Sequence, residues 1–140
     1  MKLSENAAYV DAMTCLFKGR HDEARTKLES CSESTDDTLW KAFFQRAIAE
    51  SFCQERRLSD ATAALDKAVE IDPSPLSLVK KAEFVCTYLN DPFEANALFA
   101  AALHKSERYS DSTFDRAKFH RQTLDQMREL GIDGGEPEDE

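Results

Sequence analysis

Apolar and polar positions alternate along the chain with helical spacing, in seven stretches separated by turn signals. Ala8, Ala12, Cys15 and Leu16 mark a first helix that Ser4-Glu5-Asn6 can start and Gly19 stops. A tight turn through Gly19-Arg20-His21 leads to a second helix with Ala24, Leu28 and Cys31 on one face. Cys31 to Asp37 is polar and reads as a loop. Asp37 or Thr38 caps a third helix, which carries Trp40, Phe43, Phe44, Ala47, Ile48, Ser51 and Phe52. Ser59-Asp60 opens a fourth, with Ala61, Ala64, Leu65, Ala68 and Val69. Asp72-Pro73-Ser74-Pro75 ends it, because proline cannot supply the amide donor of a continuing helix. The fifth holds Leu78, Val79, Ala82, Val85, Cys86 and Leu89. Asn90-Asp91-Pro92 is a turn, with Pro92 tolerated in the first turn of the sixth helix. That helix uses Ala95, Leu98, Phe99, Ala102 and Leu103. A seventh bears Phe114, Ala117, Leu124, Met127 and Leu130 and stops at Gly131. The pattern predicts an all-α chain of about seven helices.

The fourth and sixth helices superimpose on each other in sequence. Ala61, Leu65, Ala68 and Val69 are followed 34 residues later by Ala95, Phe99, Ala102 and Leu103. A period of 34 residues is found in stacked helix–turn–helix repeats, whose units bury a shared core that none could bury alone. The small alanines let two helix backbones approach, and Leu65 and Phe99 fill the space between units.

These residues resemble tetratricopeptide repeats. A second repeat, about 42–76, offers Ile48, Ala49, Phe52, Ala61, Leu65, Ala68 and Pro73. A third, about 76–110, offers Ala82, Cys86, Ala95, Phe99 and Ala102. It departs by placing Glu83 where a small residue is usual, and it lacks the closing proline. A first, about 5–38, offers Ala12, Cys15, Gly19, Ala24, Leu28 and Cys31, with Asp11 at a usually apolar place. Ala24 to Ala61 is 37 residues, so its loop is three longer. The resemblance implies a right-handed superhelix of antiparallel helix pairs over residues 4–131. A polar cap helix would occupy 110–131, and 132–140 would form a flexible acidic tail.

The resemblance also implies a binding surface. In this family the first helices of successive repeats line a concave groove. Register transfer places Tyr9, Met13 and Phe17 there from the first repeat. The second contributes Phe43, Arg46, Glu50 and Gln54, and the third Lys80, Phe84 and Tyr88. Phe84 and Tyr88 have two readings: an apolar groove floor, or packing inward against the last helix. Arg46 and Glu50 also have the spacing of an ordinary surface pair. Some members of the family grip a chaperone's C-terminal carboxylates with Lys, Asn, Asn, Lys and Arg. The matching positions here are Tyr9, Met13, Ala47, Ser77 and Lys81, of which only Lys81 is basic, so the resemblance argues against that role.

Composition narrows the classes further. The chain has 140 residues and a net charge of −9. Nucleic acid and anionic membrane surfaces are poor partners for it, since both need a basic face. Cys15, Cys31, Cys53 and Cys86 form no CxxC pair and sit at or beside apolar helical positions. They read as buried reduced thiols, a disulfide set or zinc site being the alternative. The first residues hold no apolar signal stretch, and no run approaches membrane-spanning length, so the expected compartment is the cytoplasm. His21, His104 and His120 have no nucleophile at a recognisable spacing, and no phosphate loop is present. No enzyme activity, cofactor or metal is therefore expected. The expected function is an adaptor that binds a peptide or helix of another protein. A secretion-type chaperone for a translocator or effector client is one alternative. A self-associating module, a homodimer through one terminal helix, is another.

Overall fold

The structure is a computed structural model and describes residues 6–108 and 115–132. Among the described residues there are seven α-helices and no strands. They are α1 (Ala7–Phe17), α2 (His21–Glu33), α3 (Thr38–Gln54), α4 (Leu58–Ile71), α5 (Pro75–Thr87), α6 (Pro92–Ser106) and α7 (Arg116–Glu129). The chain divides into two compact units, Met1–Asp72 and Pro73–Glu140. In the first, α1 packs on α2, α2 on α3, and α3 on α4; in the second, α5 packs on α6 and α6 on α7. Helix pairs packed in sequence order make an all-α, repeat-like fold. No helix among the described residues is long and apolar enough to cross a membrane.

The helix starts follow local chemistry. Asn6, Asp37, Asp91 and Asp115 each accept a backbone N–H of the first turn at 2.9–3.1 Å. Each satisfies one amide that the helix itself leaves unpaired. The fourth helix begins earlier than Ser59-Asp60 suggested. Arg57 holds its N-cap position without a side-chain cap, and Asp60 lies in the first turn, 2.9 Å from the Arg57 guanidinium. Phe114 lies outside the described residues, as do 133–140 of the expected tail. Ala117 is exposed; α7 buries Met127, as the pattern expected, and Thr123, which it did not. Ile132 is buried as well, at 6% exposure. Its N–H bonds the Met127 carbonyl at 2.8 Å across Gly131, whose φ is +78°. This is a Schellman ending, and it draws Ile132 in beside Met127.

The same ending closes α1 and α3. Arg20 N–H reaches the Cys15 carbonyl at 2.8 Å, and Arg57 N–H reaches Phe52 at 2.9 Å. The left-handed residue is Gly19 in the first case and Arg56, at φ +62°, in the second. The third pair has Asn90 there, at φ +53°. Gly19, Arg56 and Asn90 each precede a fully buried alanine (Ala24, Ala61, Ala95) by five residues. The backbone thus repeats where the side chains do not. Arg56 has a Cβ that crowds its own backbone in this conformation. Arg56→Gly is expected to raise stability by a few tenths to about 1 kcal/mol, the relief exceeding the extra entropy of an unfolded glycine. Urea titration followed by circular dichroism measures it.

The third turn differs by one residue, and this corrects the register of α5. Asp91 N–H reaches back six residues to the Val85 carbonyl at 3.2 Å, where the other two turns span five. The extra residue shifts α5 so that its burial matches α3 at a spacing of 33, not 34. Ala42, Ala49 and Ser51 are buried, and so are Pro75, Ala82 and Phe84. Ala82, fully buried, therefore holds the small-residue position. Glu83 is not the departure it looked like. It points partly to solvent, bonded to Gln126 of α7 and 4.0 Å from Lys80.

Candidate functional site

The first unit carries an aromatic cluster where α1 meets α3. Phe44 is fully buried and anchors it. Tyr9 of α1 lies 6.0 Å from Phe44 and 5.9 Å from Phe43, tilted 48–49° to both. Trp40 meets Phe43 edge-on at 5.5 Å and stacks over Phe44 at 6.0 Å. Tyr9, Trp40 and Phe43 are all half-buried, so part of each ring faces solvent. Aromatic rings held this way present large apolar area with little entropy left to lose on binding. Trp40 was absent from the expected groove residues. The signal that finds it is its spacing of three and four from Phe43 and Phe44.

Met13 is half-buried one turn after Tyr9, and Ala47 is half-buried one turn after Phe43. Phe17, at the end of α1, is 94% exposed, and Gln54 at the end of α3 is exposed too. Glu50 is exposed on α3. Burial raises the Tyr9 phenol above its ordinary value of 10.0, and the Glu50 carboxylate adds to the shift. Arg46 is half-buried; burial lowers its pKa, opposed by the charge of Asp72. Arg46 and Glu50 do not form the pair their spacing allowed, and Glu50 makes no ion pair among the described residues.

A titration checks this geometry. Tyr9 is expected to ionise above 10.0, and Glu50→Gln to lower its pKa part of the way back. Tyrosine-ring carbon shifts followed by NMR report both. The folded state holds the phenol proton more tightly than the unfolded one. Its contribution to stability is therefore full below the ordinary pKa and is lost as pH rises through the folded value.

In the second unit the expected residues separate. Phe84 is 5% exposed and stacks on Tyr88 at 5.7 Å, while Tyr88 itself is 39% exposed. Phe84 is therefore not a solvent-facing floor. The one-residue shift of α5 is the reason, since it puts Phe84 at the place where Ser51 is buried in α3. The solvent-facing residues of α5 matching Phe43, Ala47 and Glu50 become Leu76, Lys80 and Glu83. Leu76 is 45% exposed, and Lys80 keeps the exposure expected of it. Tyr88, Leu89 and the 86% exposed Phe93 surround the α5–α6 turn.

Other chemistry is sparse. A shallow depression of about 270 Å³ between α1 and α2 is lined mainly by Asp11, Lys18, Arg20, Glu23 and Lys27. Lys27 sits 3.9 Å from Asp11 and Arg20 4.0 Å from Glu23, so most of its charge is internally offset. Among the described residues no group of His, Cys, Asp and Glu is placed to hold a metal ion. All four cysteines are free; Cys15, Cys31 and Cys53 are buried, and burial raises the thiols of Cys31 and Cys53. Comparison with protein-family models, curated proteins and solved structures finds no match for this chain.

Proposed function

We propose that this chain is a tetratricopeptide-like binding module whose aromatic face, built by Tyr9, Trp40 and Phe43, receives a peptide or helix of another protein. The observation that carries the reading is the half-exposed Tyr9–Phe43 pair, which spans two helices and rests on the buried Phe44 ring. Exposed aromatic area of this kind favours apolar anchors on a partner segment. The net charge of −9 weighs against nucleic acid and anionic membranes as partners. Free, mainly buried thiols support the cytoplasm as the compartment.

The test is selection from a random peptide display library against the full chain. Enriched peptides are expected to lose binding to a Tyr9→Ala, Phe43→Ala double variant by more than about tenfold, since hot-spot aromatics contribute over 1 kcal/mol each. Far-UV circular dichroism must show the variant still helical. Undiminished binding to a folded double variant rejects this face.

A further inference from the structure

Glu50 gives the Tyr9 side of the aromatic face its charge. It is exposed, acts electrostatically on the Tyr9 phenol, and has no ion-pair partner among the described residues. The corresponding acid of α5 shows the contrast. Glu83 has Lys80 three residues before it at 4.0 Å and a hydrogen bond from Gln126. Three residues before Glu50 stands Ala47, which can neutralise nothing. The other cation nearby in sequence, Arg46, answers to Asp72, which is 8% exposed. The first unit thus presents two half-exposed rings, with an unneutralised carboxylate that acts on one of them, Tyr9.

We infer that the face is selective for a segment carrying a lysine or arginine next to its apolar anchor, an inference that rests on the binding role proposed above. A cation over a tyrosine or phenylalanine face is attracted by the ring quadrupole, and a carboxylate at its edge adds a charge-assisted hydrogen bond. A purely apolar segment would strip water from Glu50 without replacing it, and an acidic one would meet like charge. The net charge of −9 acts in the same direction at long range, since it draws in basic segments and repels acidic ones.

The experiment uses the peptides selected from the random library, resynthesised with a fluorophore and titrated by anisotropy. Binders that need Tyr9 are expected to contain Lys or Arg. Replacing that residue by Gln, or Glu50 by Gln, is expected to weaken binding about fivefold, the size of a partly exposed cation–π and ion-pair contact. The two changes together are expected to cost little more than either alone, and Glu50→Lys to weaken binding more than Glu50→Gln. Peptides that require Tyr9 yet bind wild type and Glu50→Gln equally overturn the charge selectivity and leave the face intact. Peptides indifferent to Tyr9→Ala, or a library that yields no binder, overturn the face and the selectivity together.

Discussion

Ala82→Glu is expected to unfold the second unit, while Glu83→Ala one position later is expected to cost only about 1 kcal/mol. Ala82 has no exposed surface. A glutamate there must bury its carboxylate unpaired or force α5 away from its neighbour. Either exceeds about 4 kcal/mol, a large part of the 5–15 kcal/mol that holds a domain together. Glu83 is partly exposed, and its loss removes the Gln126 bond and a 4.0 Å pairing with Lys80. Urea denaturation of the two variants reads the difference. The reverse order, with Ala82→Glu tolerated and Glu83→Ala severe, would restore the 34-residue register and remove the shift of α5.

Arg25→Ala is expected to destabilise the first unit by about 2–3 kcal/mol, somewhat less than the 3–5 kcal/mol for breaking a fully buried ion pair. Arg25 is 8% exposed. Its guanidinium donates to Ser51 Oγ at 2.8 Å and pairs with Asp22 at 2.6 Å and Glu55 at 2.8 Å. It also lies over the Phe52 ring, 4.2 Å from the centroid. Arg57 lies 4.9 Å from the same centroid. Without Arg25, the fully buried Ser51 hydroxyl keeps only the His21 ring nitrogen, 3.2 Å away. The cost stays below the fully buried case because Asp22 is almost wholly solvated and Glu55 is 31% exposed, so both rehydrate. Arg25→Lys is expected to recover less than half of the loss. A single ammonium cannot span three acceptors and also lie flat over a ring. Thermal melts of both variants decide the point. Melts in high salt separate the Asp22 pairing, which is screened, from the Ser51 bond, which is not.

Arg25 shows where pattern reading stops. A 3.6-residue period assigns apolar residues to the core and polar ones to water. Yet the α2–α3 contact is a polar seam. Gln45, 2% exposed, donates to Glu29 at 2.8 Å and to Ser32 Oγ at 3.2 Å, and Lys41 Nζ donates to the Ser32 carbonyl at 2.8 Å. Each of these residues looks like a solvated helix face until the partner helix is in place. The candidate face divides in the same way. Tyr9, Met13 and Phe43 were expected from the repeat register alone, and Tyr9 and Phe43 do lie together, 5.9 Å apart. The charge state of that face was not legible. Whether Glu50 is paired depends on Ala47, Arg46 and Asp72, and Asp72 is distant in sequence.

The order of seven helices, the buried alanines 61, 68, 95 and 102, and the stops at Gly19 and Gly131 were all determined by the sequence alone. Periodicity and the special backbone freedom of glycine and proline act locally, so they can be read locally. Only the tertiary structure decided that Ala82 rather than Glu83 is inside and that Arg56 takes a left-handed backbone. It also decided that Phe84 turns away from water and that Arg25 holds two helices together. Each of those outcomes depends on one residue's worth of turn geometry or on a charge brought from another helix. Neither leaves a trace in the spacing of apolar positions.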